Sequence, residues 1–347
     1  MLAASMPLIR SQYRPPTTLK QSDLNTIYAG TLRSRIRLAW RRERLELADG
    51  DFVDLDWVDR PRSKRLAILT HGLEGHARRP YVAGTARALR RCGFAVCAMN
   101  FRGCSGEPNR HLRSYHIGET GDLRQVIDHA LDVTQAKYVF LAGYSLGGSV
   151  LLKYLSGDAA LIPPQVMGAS VFSVPLYVAE CAGVINTVRN WAYRWSFIVN
   201  MNRKARRKVE ERPDLGPFKR DKSFDEFDEW YTAPWHGFES AQEYWSKCSS
   251  GPTLAQLKRP ALVVNAADDS FLHESCYPTE LAQQLDQFYL EIPDHGGHCG
   301  FVERNANGDY YSDRRAAAFA QALLEGEEGL ARFLSENLQA SSLSPPA

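Results

Sequence analysis

Gly143-Tyr144-Ser145-Leu146-Gly147-Gly148 is a G-x-S-x-G element lying between an apolar run, Tyr138–Ala142, and a helical one, Ser149–Leu155. Five residues of this pattern arise by chance, so the flanking elements carry the reading. Between a strand and a helix the chain must turn sharply, which strains Ser145 and exposes its hydroxyl. Gly143 and Gly147 supply the clearance where strand and helix approach. The helix that begins here presents unpaired N–H groups toward a developing oxyanion. This is the chemistry of a nucleophilic serine attacking a carbonyl.

Such a serine needs a histidine to take its proton, and the histidine needs a carboxylate to fix its tautomer. On a strand–turn–helix scaffold the acid follows the serine in the chain and the histidine comes last. The histidines after Ser145 are His236, His273, His295 and His298. Only the last two lie in a loop directly behind a late strand. That loop reads Pro293-Asp294-His295-Gly296-Gly297-His298-Cys299-Gly300-Phe301. Its glycines allow His298 to reach the strand ends, which favours it over His295. For the acid, Asp268 and Asp269 follow the apolar run Ala261–Val264. Adjacent side chains point apart, so only one can face the imidazole. Asp269 is the choice and Asp268 the fallback, the other capping the next turn. Asp294 reads as solvated.

The oxyanion requires a second N–H from an early loop. His71-Gly72-Leu73-Glu74-Gly75 follows the apolar run Arg65–Thr70. The backbone N–H groups of Leu73 and Leu146 form the expected pair. His71 and His76 read as loop hydrogen-bonding residues, and no third ligand stands at metal-site spacing. No metal and no organic cofactor is required.

The elements that must position these residues alternate. Ile36–Glu46 and Phe52–Trp57 read as strands joined at Asp49-Gly50, a hairpin dipeptide. Strands at Arg65–Thr70, Phe94–Asn100, Tyr138–Ala142, Val166–Ser173, Ala261–Asn265 and Phe288–Ile292 follow, with helices at Tyr81–Arg91, Gly121–Val133 and Arg314–Leu334. Nearly continuous apolar strands separated by helices predict an α/β fold with a mainly parallel sheet covered on both faces. The rhythm stops over 175–252, a helix-like stretch with five of the seven tryptophans, Trp191, Trp195, Trp230, Trp235 and Trp245. It reads as a cap inserted in one core. The expected organisation is an N-terminal arm over 1–34, a core over 35–174 and 253–338, the cap, and a disordered Ser/Pro tail over 339–347.

With 347 residues, 44% hydrophobic and 24% charged, the chain can bury a sizeable core. Its 42 basic and 40 acidic side chains lack the excess that a nucleic-acid binder needs. No apolar run approaches the roughly 20 residues of a membrane span, and no basic-then-apolar leader opens the chain. Seven scattered cysteines contain no C-x-x-C pair. Together these point to a cytoplasmic chain with reduced thiols. Arg203-Lys204-Ala205-Arg206-Arg207-Lys208 reads as a solvated helix face, or as a surface that meets anionic lipid transiently.

With these elements in order, the sequence resembles the α/β hydrolases, and within them the YheT-like branch. The resemblance rests on His71 to Gly75, Asn100-Phe101-Arg102-Gly103-Cys104-Ser105-Gly106-Glu107-Pro108-Asn109, Gly118 to Asp122, Gly143 to Gly148, Asn265 to Asp269 and His295 to Phe301. It covers roughly residues 35–335. Two departures are visible: Asp23-Leu24-Asn25-Thr26 stands where His-Leu-Gln-Thr is expected, and Ser270 replaces a proline after the acid. The resemblance implies an esterase- or acylglycerol-lipase-like enzyme with a Ser145, Asp269, His298 triad, acting on a small-molecule ester or lipid. An acyltransferase on the same triad, or a non-catalytic binding protein retaining the fold, are the competing readings.

Overall fold

The computed structural model describes residues 8–34 and 36–338; the tail expected over 339–347 lies outside them. Nine strands form one sheet in the order β1-β9-β8-β7-β6-β4-β5-β3-β2. They are β1 (Leu8–Ile9), β2 (Arg41–Glu46), β3 (Phe52–Val58), β4 (Arg65–Thr70), β5 (Ala95–Met99), β6 (Tyr138–Tyr144), β7 (Val166–Phe172), β8 (Ala261–Val264) and β9 (Phe288–Glu291). From β1 across to β5 every pairing is parallel, while β3 pairs antiparallel with both β5 and β2. The hairpin predicted at Asp49-Gly50 thus forms one edge, and its first strand begins at Arg41 instead of Ile36.

Alternation divides the core. On β4, Leu66 and Ile68 join one cluster and Ala67 and Leu69 the other, so all four are buried. Helices α2 (Pro80–Arg91), α11 (Tyr311–Leu324) and α12 (Gly326–Leu338) cover the second cluster, and α3 (Gly121–Thr134), α4 (Leu146–Leu155) and α10 (Thr279–Gln284) the first. The single closing helix expected over Arg314–Leu334 is two helices. Gly326 sits at φ +71°, a left-handed conformation that ends the first and lets the second fold back on it.

Near the amino end, α1 (Ser22–Ile27) packs against the loop after β9. Between β7 and β8 the chain leaves the sheet to form α5 (Val178–Ile185), α6 (Trp191–Glu211), α7 (Phe224–Phe227), α8 (Ala233–Trp235) and α9 (Ala241–Cys248). Helix α6 buries Ile198, Met201, Ala205 and Val209, one face at helical spacing. Two lysines fasten that helix to the core. Lys204 Nζ donates to Glu74 Oε1 at 2.8 Å, and Lys208 Nζ donates to Asn109 Oδ1 and the carbonyl of Leu112, each at 2.9 Å. The basic run Arg203–Lys208 is therefore not one solvated face, because its members four apart turn inward.

Candidate active site

Ser145 occupies the turn from β6 into α4 at φ +51° and ψ −124°. A non-glycine residue there is strained by about 1–3 kcal/mol, which the packing around it must hold. The neighbouring glycines show how tight that packing is. A Cβ on Gly147 would lie 2.5 Å from the carbonyl oxygen of His71, and one on Gly143 would lie 2.6 Å from Thr70 Oγ1. Only glycine allows β4 and the start of α4 to meet this closely.

His298 Nε2 lies 3.0 Å from Ser145 Oγ. On its other edge, His298 Nδ1 lies 3.1 and 3.0 Å from the two oxygens of Asp269. Asp269 is 4% exposed, and its Oδ1 also accepts the N–H of Phe271 at 3.0 Å. The Phe271 ring stacks on the imidazole with centroids 4.2 Å apart. Burial opposes charge on His298, the Asp269 carboxylate and Cys299 favour it, and the net shift of the histidine is upward. The geometry thus joins a hydroxyl, an imidazole and a carboxylate in one line of hydrogen bonds.

The alternatives take other places. Asp268 Oδ1 accepts the N–H of Gly297 at 2.9 Å and its Oδ2 lies 3.7 Å from His295 Nδ1, so this pair shapes the histidine loop from outside. Asp294 is exposed. Four residues of that loop have positive φ: Gly296, Gly297, Cys299 and Phe301. External hydrogen bonds hold this contorted backbone. The N–H of His298 donates to Thr26 Oγ1 at 2.8 Å, and the N–H of Cys299 to Ser173 Oγ at 2.8 Å. Asn25 adds a third tie, its Oδ1 accepting the N–H of Val302 at 3.2 Å. Thr26, Asn25 and Ser173 carried no local signal of this role. The departure at residues 23–26 was the only pointer to the arm, and it gave no contact. Ser270, the other departure, offers its carbonyl to Asn190 Nδ2 at 2.7 Å.

The loop after β4 closes on the serine from the opposite side. A Cβ on Gly72 would sit 3.2 Å from the Cβ of Ser145. His71 is fully buried, and burial pushes its pKa down to about 3. The N–H of Phe101 donates to its Nε2 at 3.1 Å, so the ring proton is on Nδ1 and is donated to the carbonyl of Gly72 at 2.7 Å. Neutral His71 is therefore a brace for the loop. Leu73, Ser145 and Leu146 all line one cavity of about 590 Å³. Among the described residues, no group of three His, Cys, Asp or Glu side chains is placed to hold a metal ion.

The cavity runs under the segment between β7 and β8. Pro175, Val178, Ile185, Met201, Phe224 and Phe227 make much of its wall apolar. Of the five tryptophans in that segment only Trp235 reaches it. The farther wall includes Arg102, whose Nε and Nη2 both donate to Asp122 at 2.6 Å while Nη1 donates to Asp49 at 2.7 Å. That ion cluster fixes the loop after β5. Glu107 and Arg110 pair with Arg44 and Glu46, so they too hold the loop.

A parallel sheet with a strained serine at a strand–helix turn defines an α/β hydrolase. Solved structures agree at the level of fold. An esterase from Pyrococcus furiosus, Pf2001, superposes with TM-score 0.53 at 14% identity, covering 88% of this chain and 91% of that one. The family model described as "Serine aminopeptidase, S33" matches residues 61–227. The Escherichia coli (strain K12) protein named "Putative esterase YheT" is 32% identical over 309 residues, 84% of this chain and 87% of that protein. Human "Phospholipase ABHD3" is 27% identical over 92% of this chain and 81% of its own length. The chain belongs to the YheT-like branch of the α/β-hydrolase superfamily. It is an enzyme of the ester-hydrolase kind. Among the described residues no helix is long and apolar enough to cross a membrane.

Proposed function

We propose that the protein cleaves carboxylic esters of apolar, medium- to long-chain acyl groups through an acyl-enzyme intermediate on Ser145. The supporting observation is the line of contacts from Ser145 Oγ through His298 to Asp269 at the wall of the apolar cavity. Ser145 Oγ attacks the ester carbonyl carbon as its proton passes to His298 Nε2. The carbonyl oxygen, now negative, accepts hydrogen bonds from the N–H groups of Leu73 and Leu146. Collapse breaks the bond to the alkoxy oxygen, and His298 returns the proton to the departing alcohol. Water then attacks the acyl-serine with His298 again as base, releasing the acid. Asp269 holds the Nδ1–H tautomer throughout and stabilises the imidazolium. The names of the esterase and phospholipase relatives support a lipid-like ester as substrate.

Ser145→Ala tests the mechanism. It is expected to lower p-nitrophenyl ester turnover by on the order of 10⁴ or more while the far-UV circular dichroism spectrum and Tm stay unchanged. Appreciable hydrolysis by the folded alanine variant overturns the reading.

A further inference from the structure

Helix α6 has an outer stripe that its contacts with the core leave uncovered. Trp191, Trp195 and Val199 recur every four residues, and the two tryptophans are 61% and 63% exposed. Val188, just before the helix, is 86% exposed. The Arg189–Asp23 ion pair at 3.2 Å and the hydroxyl of Tyr193, which donates to Asp23 at 3.2 Å, set α1 beside this end of α6. Helix α1 adds exposed Leu24 and Ile27. Soluble proteins rarely leave a large apolar surface of this kind bare without a use for it.

Farther along the stripe lies a groove of about 680 Å³ lined by Trp195, Val199, Phe218 and the cations Arg203, Arg206, Arg220 and Lys222. All four cations are exposed, and none forms an ion pair among the described residues. That is unusual here, because most arginines of the core face, such as Arg42, Arg44 and Arg102, are matched to carboxylates. The carboxylate in the groove, Asp221, is 2% exposed with one oxygen bonded to Asn202 and the other unpartnered. Burial pushes its pKa up to about 7, and even fully ionised it would offset only one of the four positive charges.

We propose that this outer face of α6, with the end of α1, docks on an anionic lipid surface. Tryptophan is the residue type suited to the headgroup boundary, where its ring is apolar and its N–H is wet. Unpaired cations beside it meet lipid phosphates. A second copy of the chain fits less well, since a two-fold contact would set the same four cations against each other. The placement also suits an apolar substrate: Arg203 lines both this groove and the cavity beside Ser145, so one helix separates the two. Docking itself is independent of the chemistry proposed at Ser145.

The full chain is mixed with phosphatidylcholine vesicles, and with vesicles that also contain phosphatidylglycerol, and sedimented. Binding is expected to the anionic vesicles, to fall as salt rises, and to blue-shift tryptophan emission. Arg206→Gln with Arg220→Gln is expected to weaken it about twenty-five-fold, about fivefold for each cation removed. Trp191→Ser with Trp195→Ser is expected to abolish it, while both double variants hydrolyse a short soluble ester at the wild-type rate. Ser145→Ala is expected to sediment like wild type, which separates failure of docking from failure of the mechanism. Wild type left in the supernatant with both vesicles, or double variants that sediment unchanged, overturns the proposal. So does a dimer in vesicle-free buffer that the tryptophan substitutions dissolve.

Discussion

Two neighbouring aspartates with the same chemistry face different histidines. Asp269 is buried against His298, whereas Asp268 holds Gly297 and stands near the more exposed His295. Burial pushes the His298 pKa down, while Asp269 and Cys299 together push it further up, and the Asp269 share can be tested. On the proposed mechanism the rate rises with pH as the imidazole loses its proton and becomes able to act as a base. In Asp269→Asn the carboxylate's share of that upward shift is gone, so the acid limb of the kcat/KM profile should move to lower pH. The maximal rate should also fall by on the order of 10⁴, since the tautomer is no longer fixed. A limb that stays in place, or moves to higher pH, would assign the titration to another group. Asp268→Asn should leave the limb where it is.

Among the elements, legibility followed periodicity. Strands such as β4 and helices such as α3 announced themselves because burial on both faces, or one apolar stripe, dictates their composition. The turn at Ser145 was equally plain, because a strained serine between close-packed elements demands glycine on both sides. Three features were not legible. The two-residue strand β1 is defined only by its parallel pairing with β9. The closing helix carries an apolar pattern straight across Gly326, and only the left-handed turn there divides it. Thr26 looks like any polar helix residue, for its partner is 272 positions away. Its role is testable. Thr26→Val strips the acceptor from the His298 N–H and should cost about 1–3 kcal/mol. A lower Tm and kcat with little change in KM are expected, and Thr26→Ser should restore both. Wild-type kcat in the valine variant would show that the loop holds its shape without this brace.

For the whole molecule, the sheet provides a rigid floor and the segment between β7 and β8 a roof fastened by Lys204 and Lys208. Between them lies the apolar cavity, which ought to impose a size preference. Across p-nitrophenyl esters of increasing acyl length, kcat/KM should climb about three- to fourfold per methylene while each still finds apolar wall, from roughly 0.8 kcal/mol per buried CH₂. It should then level off or fall once the chain outgrows the enclosed space. A flat profile from the shortest ester onward would place the acyl group outside this cavity.

The tie between Thr26 and His298 also orders events in time. A ribosome delivers α1, the loop after β4 and Ser145 well before β9 and the histidine loop. Until the histidine loop emerges, α1 lacks its partner there and Ser145 lacks the base proposed for it. Docking of α1 against the histidine loop closes a separation of 272 residues, a costly non-local contact in the search for the native state. If Ser145 and His298 act as proposed, the nascent protein passes through this stage chemically silent, and competence arrives when α1 meets the histidine loop.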